Sequence, residues 1–131
     1  MAQSSSYLFV YGTLLDKQNE FGAYINANCT FYANGRFKGR LYDIGEYPGA
    51  INHPEGGNYV YGKIYRVTDT KKVFKQLDYY EGFGPDEAQP NLFLRELIST
   101  EAADETIECW AYLYNFPVDG LRLIESGVYF N

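Results

Sequence analysis

Tyr7-Leu8-Phe9-Val10-Tyr11-Gly12-Thr13-Leu14 is the stretch on which the architecture turns. Its first five residues form a continuous apolar, β-favouring run, the pattern of a strand buried on both faces. Gly12-Thr13 ends the run, and Leu14, Phe21 and Ile25 then recur at helical spacing. The reading is a strand over 7–12, a tight Gly-Thr turn and a helix over about 15–26, with Thr13 or Asp16 as its cap. Such a turn aims unpaired backbone N–H groups into the space beyond the strand end. Those donors can hold an anion or a carbonyl oxygen, and Gly12 lets a ligand approach the backbone closely.

The second informative stretch is Lys71-Lys72-Val73-Phe74-Lys75-Gln76-Leu77-Asp78-Tyr79-Tyr80-Glu81, followed at once by Gly82. As a helix it places Val73, Phe74, Leu77 and Glu81 on one stripe, and Gly82 stops it. A carboxylate at the end of an apolar stripe is partly desolvated, which raises its pKa toward neutrality. That is the profile of a general acid/base. Taken alone, Glu81 would equally suit an exposed carboxylate at a frayed helix end.

Working outward, residues 31–42 alternate as a strand with glycines that permit strong bending, and Arg36, Lys38 and Arg40 fall on its polar face. Residues 45–58 read as a loop, 59–67 as a strand, and Thr68 or Asp69 caps the helix ending at Glu81. The segment 82–91 is a Gly- and Pro-containing excursion, a connector or a lid. Strands over about 92–99 and 106–115 form a hairpin across the acidic turn 101–105. Leu121-Arg122-Leu123-Ile124 fits a short strand or a helix. The order β-α-β-β-α-β-β gives an α+β class, with residues 1–6 a loosely ordered tail and 7–131 one domain.

Composition narrows the function. Net charge is −6 and the isoelectric point about 4.7, which argues against nucleic-acid binding. No apolar run is long enough to span a bilayer, and residues 1–6 lack the features of a signal peptide, so a cytoplasmic protein off the membrane is expected. Cys29 and Cys109 are too few for a disulfide framework or a zinc site. His53, the single histidine, sits in a Pro/Gly-rich loop, and no neighbouring motif supports a triad around it.

Four blocks recur in a familiar order. They are Tyr11-Gly12-Thr13-Leu14, then Leu41-Tyr42-Asp43 with Gly45-Glu46-Tyr47-Pro48-Gly49, then Gly62-Lys63-Ile64-Tyr65, then Leu77-Asp78-Tyr79-Tyr80-Glu81-Gly82. From about Tyr7 to about Asn115 the chain resembles the gamma-glutamylcyclotransferase-like superfamily. Within it, the chain is most similar to the small single-domain branch that includes gamma-glutamylamine cyclotransferase and the plant avirulence-induced-gene proteins. The resemblance implies a small closed or nearly closed mixed β-barrel with flanking helices. Periodicity alone does not separate that from an open sheet.

It also implies a reaction, the cyclisation of a γ-glutamyl amine or peptide to 5-oxoproline with release of the amine. Glu81 would be the general acid/base, Tyr11, Gly12, Thr13 and Leu14 the γ-glutamyl cradle, and Tyr47 and Pro48 the pocket wall. The expected ligand is a small γ-glutamyl substrate, with no metal and no cofactor. One departure concerns substrate identity: where many relatives carry a tyrosine two residues before an arginine, this chain has Phe93 before Arg95. The competing readings are a non-catalytic small-molecule binder and a related acyl-transfer or amide-cleaving enzyme. The leaving group and the oligomeric state stay open.

Overall fold

The computed structural model describes residues 6–11, 20–45, 48–81, 83–85 and 89–128. Its elements are β1 (Tyr7–Val10), α1 (Glu20–Asn28), β2 (Cys29–Asp43), β3 (Pro48–Asn52), β4 (Tyr59–Val67), α2 (Thr70–Glu81), β5 (Phe93–Ala102), β6 (Glu105–Tyr114) and β7 (Arg122–Leu123). Five strands run in the order β2-β4-β1-β6-β5, and β5 returns to β2 through Arg36↔Glu101, which closes a barrel. All neighbours are antiparallel except β1 and β6, which meet in parallel at Leu8↔Trp110.

β1 explains its own composition. Leu8 and Val10 face the layer that the helices cover, with Ile25, Val73, Phe74 and Leu77. Phe9 and Tyr11 face the barrel interior, with Phe37, Leu41, Val60 and Ile64. A strand buried on both sides has no solvent face, hence no polar alternation.

β2 bends between two sheets. Residues 29–38 pair with β4, with an irregularity between Phe31 and Ala33, and residues 39–43 pair with β3. Phe37, Gly39 and Leu41 are buried, while Arg36, Lys38 and Arg40 point the other way. Arg36 crosses the closing seam to Glu101 at 3.2 Å and lies over the Tyr59 ring.

The expectation of a loop over 45–58 is corrected by β3. Pro48 takes its first position, where a missing N–H is tolerated, and the C-terminal part of β2 supplies the edge it pairs with. β7 joins the same small sheet at Tyr42↔Leu123 and Asp43↔Arg122, so the tail segment is a strand. α1 extends to Asn28, beyond the expected end, and the expected start over 15–19 lies outside the described residues. The β5–β6 hairpin is longer than expected, with only Ala103 and Asp104 between the paired Ala102 and Glu105. Ser6 also joins the sheet, its C=O accepting the Val67 N–H at 2.7 Å.

Asp69 caps α2: its Oδ1 accepts from Lys72 N at 3.1 Å and its C=O from Val73 N at 2.9 Å. The helix holds the barrel through Val73, Phe74 and Leu77, as the stripe requires. After it, Asn91 clips the connecting segment by a paired hydrogen bond with the Gly84 backbone, each at 3.1 Å. Among the described residues no helix is long and apolar enough to cross a membrane.

Candidate active site

Glu81 is the last residue of α2, one turn beyond Leu77 on the buried stripe. It keeps some solvent contact, yet burial pushes its carboxyl from an ordinary 4.5 up to about 7. No cation contributes to that shift; desolvation is its cause. Half ionised near neutrality, such a group can both take and return a proton.

Two buried tyrosines lie close enough to feel its charge. Tyr11 directly follows β1, and burial raises its phenol first, with Glu81 adding to the effect. Its hydroxyl donates to the Tyr112 carbonyl at 2.6 Å and accepts from the Ala50 N–H at 3.2 Å. Tyr11 therefore ties the end of β1 to both β6 and β3, and it stays a neutral phenol. Tyr112 is raised likewise by burial and then by Asp78, with Glu81 a smaller contributor.

Asp78 sits one turn before Glu81. It accepts the Tyr112 hydroxyl at 2.6 Å and holds Arg95 by two bonds, Nε at 2.8 Å and Nη2 at 3.1 Å. The guanidinium lies 4.7 Å from the Phe74 ring centre and 4.8 Å from that of Trp110. A planar fork paired with a carboxylate and stacked on aromatic faces is a rigid arrangement that a lysine could not reproduce.

The structure thus places Tyr11 within reach of the Glu81 charge and Pro48 two residues from the Ala50 N–H that Tyr11 accepts. Gly12, Thr13, Leu14 and Tyr47 lie outside the described residues. His53 caps a turn away from these groups, its C=O accepting from Gly56 N at 3.1 Å. Phe93 is buried against Tyr114 with ring centres 5.9 Å apart. The hydroxyl beside Asp78 comes from Tyr112 on the neighbouring strand. Asp78, Arg95, Tyr112 and the Ala50 N–H were not singled out by sequence reasoning as site groups. The available signal was Asp78 itself, three residues before Glu81 and so on the adjoining helix face, where a carboxylate needs a cation.

Two cavities along α2, of about 880 and 390 Å³, open on its outer side; the smaller abuts the Asp78–Arg95 pair and neither includes Glu81. Among the described residues no three His, Cys, Asp or Glu side chains converge as a metal site needs.

The family described as gamma-glutamyl cyclotransferase, AIG2-like, matches residues 8–131. The gamma-glutamylcyclotransferase family protein YtfP of Escherichia coli K12 is 34% identical over 127 residues, covering 92% of each chain. The solution structure of E. coli ytfP aligns with a TM-score of 0.66 at 31% identity, over 94% of this chain and 95% of that one. The crystal structure of a mouse aig2-like protein shares the fold, with a TM-score of 0.65 at 20% identity over 98% and 97% of the two chains. With a family match over almost its whole length and the same closed barrel, this chain belongs to the gamma-glutamyl cyclotransferase, AIG2-like family.

Proposed function

We propose that this protein cyclises a γ-glutamyl amine or γ-glutamyl peptide to 5-oxoproline, releasing the amine, with Glu81 as general acid/base. The observation that carries the reading is a carboxyl pushed to about 7 by burial, beside Tyr11 at the end of β1.

The substrate's α-ammonium must lose a proton before it can attack. Ionised Glu81 takes it, and the freed amine adds to the γ-carbonyl carbon, forming the ring C–N bond. Ring closure supplies its own proximity, so the pocket has only to hold the folded conformer. The carbonyl oxygen becomes an oxyanion, which backbone N–H groups of Gly12, Thr13 and Leu14 would stabilise. Protonated Glu81 then returns its proton to the leaving nitrogen, the amide C–N bond breaks, the carboxylate is regenerated, and the second proton of the ring nitrogen passes to the departing amine, which leaves as an ammonium. Every step is a proton transfer or a C–N bond change, so no redox group enters the scheme. Tyr11, with its hydroxyl both donating and accepting, serves as a fixed wall and not as a proton carrier. Tyr47 and Pro48 would complete that wall.

The test is mass-spectrometric detection of 5-oxoproline from free γ-glutamyl amino acids, glutathione and γ-glutamyl-ε-lysine, with Glu81→Gln alongside. Wild type should form product, with the acidic limb of kcat near pH 7 because only the ionised carboxyl accepts the ammonium proton. Glu81→Gln should lose about 10²-fold or more. A folded wild type inert toward every substrate would favour a binding role. A glutamine variant as active as wild type would remove Glu81 from the mechanism.

A further inference from the structure

α2 grips the barrel unevenly. Its buried apolar residues, Val73, Phe74 and Leu77, all precede its last four residues. The last turn buries none: Tyr79 is 69% exposed, and Asp78, Tyr80 and Glu81 are half-buried. Helix ends fray unless something ties them down. A carboxylate on such an end would swing toward water, where it is best solvated.

Tyr80 packs against Tyr24 of α1 and the helix-side core, and beside that contact this end is held by polar groups. The Asp78 side chain holds Arg95 of β5 by two bonds and Tyr112 of β6 by one. The Asp78 backbone C=O accepts the Phe83 N–H at 2.9 Å, which closes the chain just past Glu81. Tyr112 extends the connection, since its backbone C=O takes the Tyr11 hydroxyl, which in turn accepts from Ala50 of β3. Arg95, Asp78, Tyr112, Tyr11 and Ala50 thus join β5, α2, β6, the end of β1 and β3 in one hydrogen-bonded chain. The two tyrosines of that chain are the ones near Glu81.

We propose that the Asp78–Arg95 ion pair, with the Tyr112 hydroxyl donating to Asp78, is a clamp that fixes the last turn of α2 and thereby holds the Glu81 carboxyl in its part-buried position. These three are positioning residues: they act through Glu81. The catalytic consequence rests on the function proposed above, whereas the clamp itself does not. Among the described residues, the charged and titratable groups near Glu81 include Tyr11 after β1, Tyr112 of β6, Asp78 on its own helix and Arg95 of β5 paired to it; α1 contributes Tyr24, packed on Tyr80 at 6.2 Å. Asp78 and Arg95 are paired with each other at 2.8 Å.

Two variants that leave every charge unchanged separate positioning from a direct charge effect. Tyr112→Phe removes one hydroxyl, and Arg95→Lys keeps the cation while losing the fork. Carbon-13 carboxyl NMR reads the Glu81 titration in each, with circular dichroism to verify folding. In wild type the midpoint is expected near 7. In both variants it should fall by about one unit or more, toward the ordinary carboxylate value, as the turn loosens and water reaches the group. Where 5-oxoproline formation is measurable, the acidic limb of kcat should move down with it while KM changes less. An unchanged Glu81 midpoint in either folded variant overturns the clamp, whatever the activity result. Should Tyr112→Phe fail to fold, Arg95→Lys decides alone. A protein that forms no 5-oxoproline yet shows the shifted midpoint retains the clamp and loses the proposed reaction, so the two fail separately.

Discussion

In an unfolded chain the Glu81 carboxyl would titrate near its ordinary 4.5, whereas in the fold burial pushes it up to about 7. Between those values the folded state keeps a proton that the unfolded state has released. Stability attributable to Glu81 therefore falls as pH rises through that window and stays lower above it. A shift of this size corresponds to about 3–4 kcal/mol, which the solvent contact the group retains lowers. Glu81→Gln has the same shape and no charge. It is expected to melt higher than wild type at pH 8, by several degrees, with the gap nearly closed at pH 4.5. Thermal melts across that range check it, and a gap independent of pH would mean that Glu81 is not desolvated. The residue's place at the end of the stripe is readable from its spacing to Val73 and Leu77. Its neighbours Tyr11 and Tyr112 are not, because nothing local aligns position 81 with positions 11 and 112.

Among the elements, α2 and the β5–β6 hairpin follow their sequence patterns most closely. The α2 stripe and its Asp69 cap are local features, encoded within one or two turns. The hairpin is tighter than its acidic composition suggests. Ala103 opens the two-residue turn at φ 55°, a left-handed conformation that a Cβ disfavours. Ala103→Gly should relieve that strain and stabilise the protein by about 0.5–1 kcal/mol, readable as a shift in denaturant midpoint at unchanged slope. A destabilised variant would show that the alanine side chain contributes contacts worth more than the strain. β3 is the element sequence periodicity hides. Pro48-Gly49-Ala50-Ile51-Asn52 has proline and glycine at its start and too few residues to display a period. It is extended because β2 bends and offers an unpaired edge.

At the scale of the whole molecule, the seam between β2 and β5 decides whether the sheet is a barrel. Its single register pair is Arg36↔Glu101, with the side chains joined at 3.2 Å. Beside it, Gly35 permits the approach: a Cβ there would lie 2.8 Å from Ile64 Cδ1 and 3.1 Å from both the Glu101 carbonyl oxygen and Thr100 Cγ2. Backbone on one side and packed core on the other leave little room to yield. Gly35→Ala should cost about 1–3 kcal/mol and speed amide exchange at Thr100–Ala102 more than in β4. Uniform exchange rates in a folded variant would mean that the seam does not depend on close approach at Gly35.

By itself the sequence determined the α+β class, the doubly buried β1, the two helices and the stripe of α2, the long hairpin, and a carboxylate at the end of an apolar face. Each of these is written in residues a few positions apart, as period, cap or turn. Only the tertiary structure decided that β5 returns to β2, that 48–52 is a strand, and that Glu81 sits among Tyr11, Tyr112 and the Asp78–Arg95 pair. The bonds of that site join Asp78 to Arg95 and Tyr112, 17 and 34 positions away, and Tyr11 to Tyr112, 101 positions away. Periodicity fixes which way a side chain faces relative to its own element, and the packing of five elements at one end of the barrel fixes which side chain it meets.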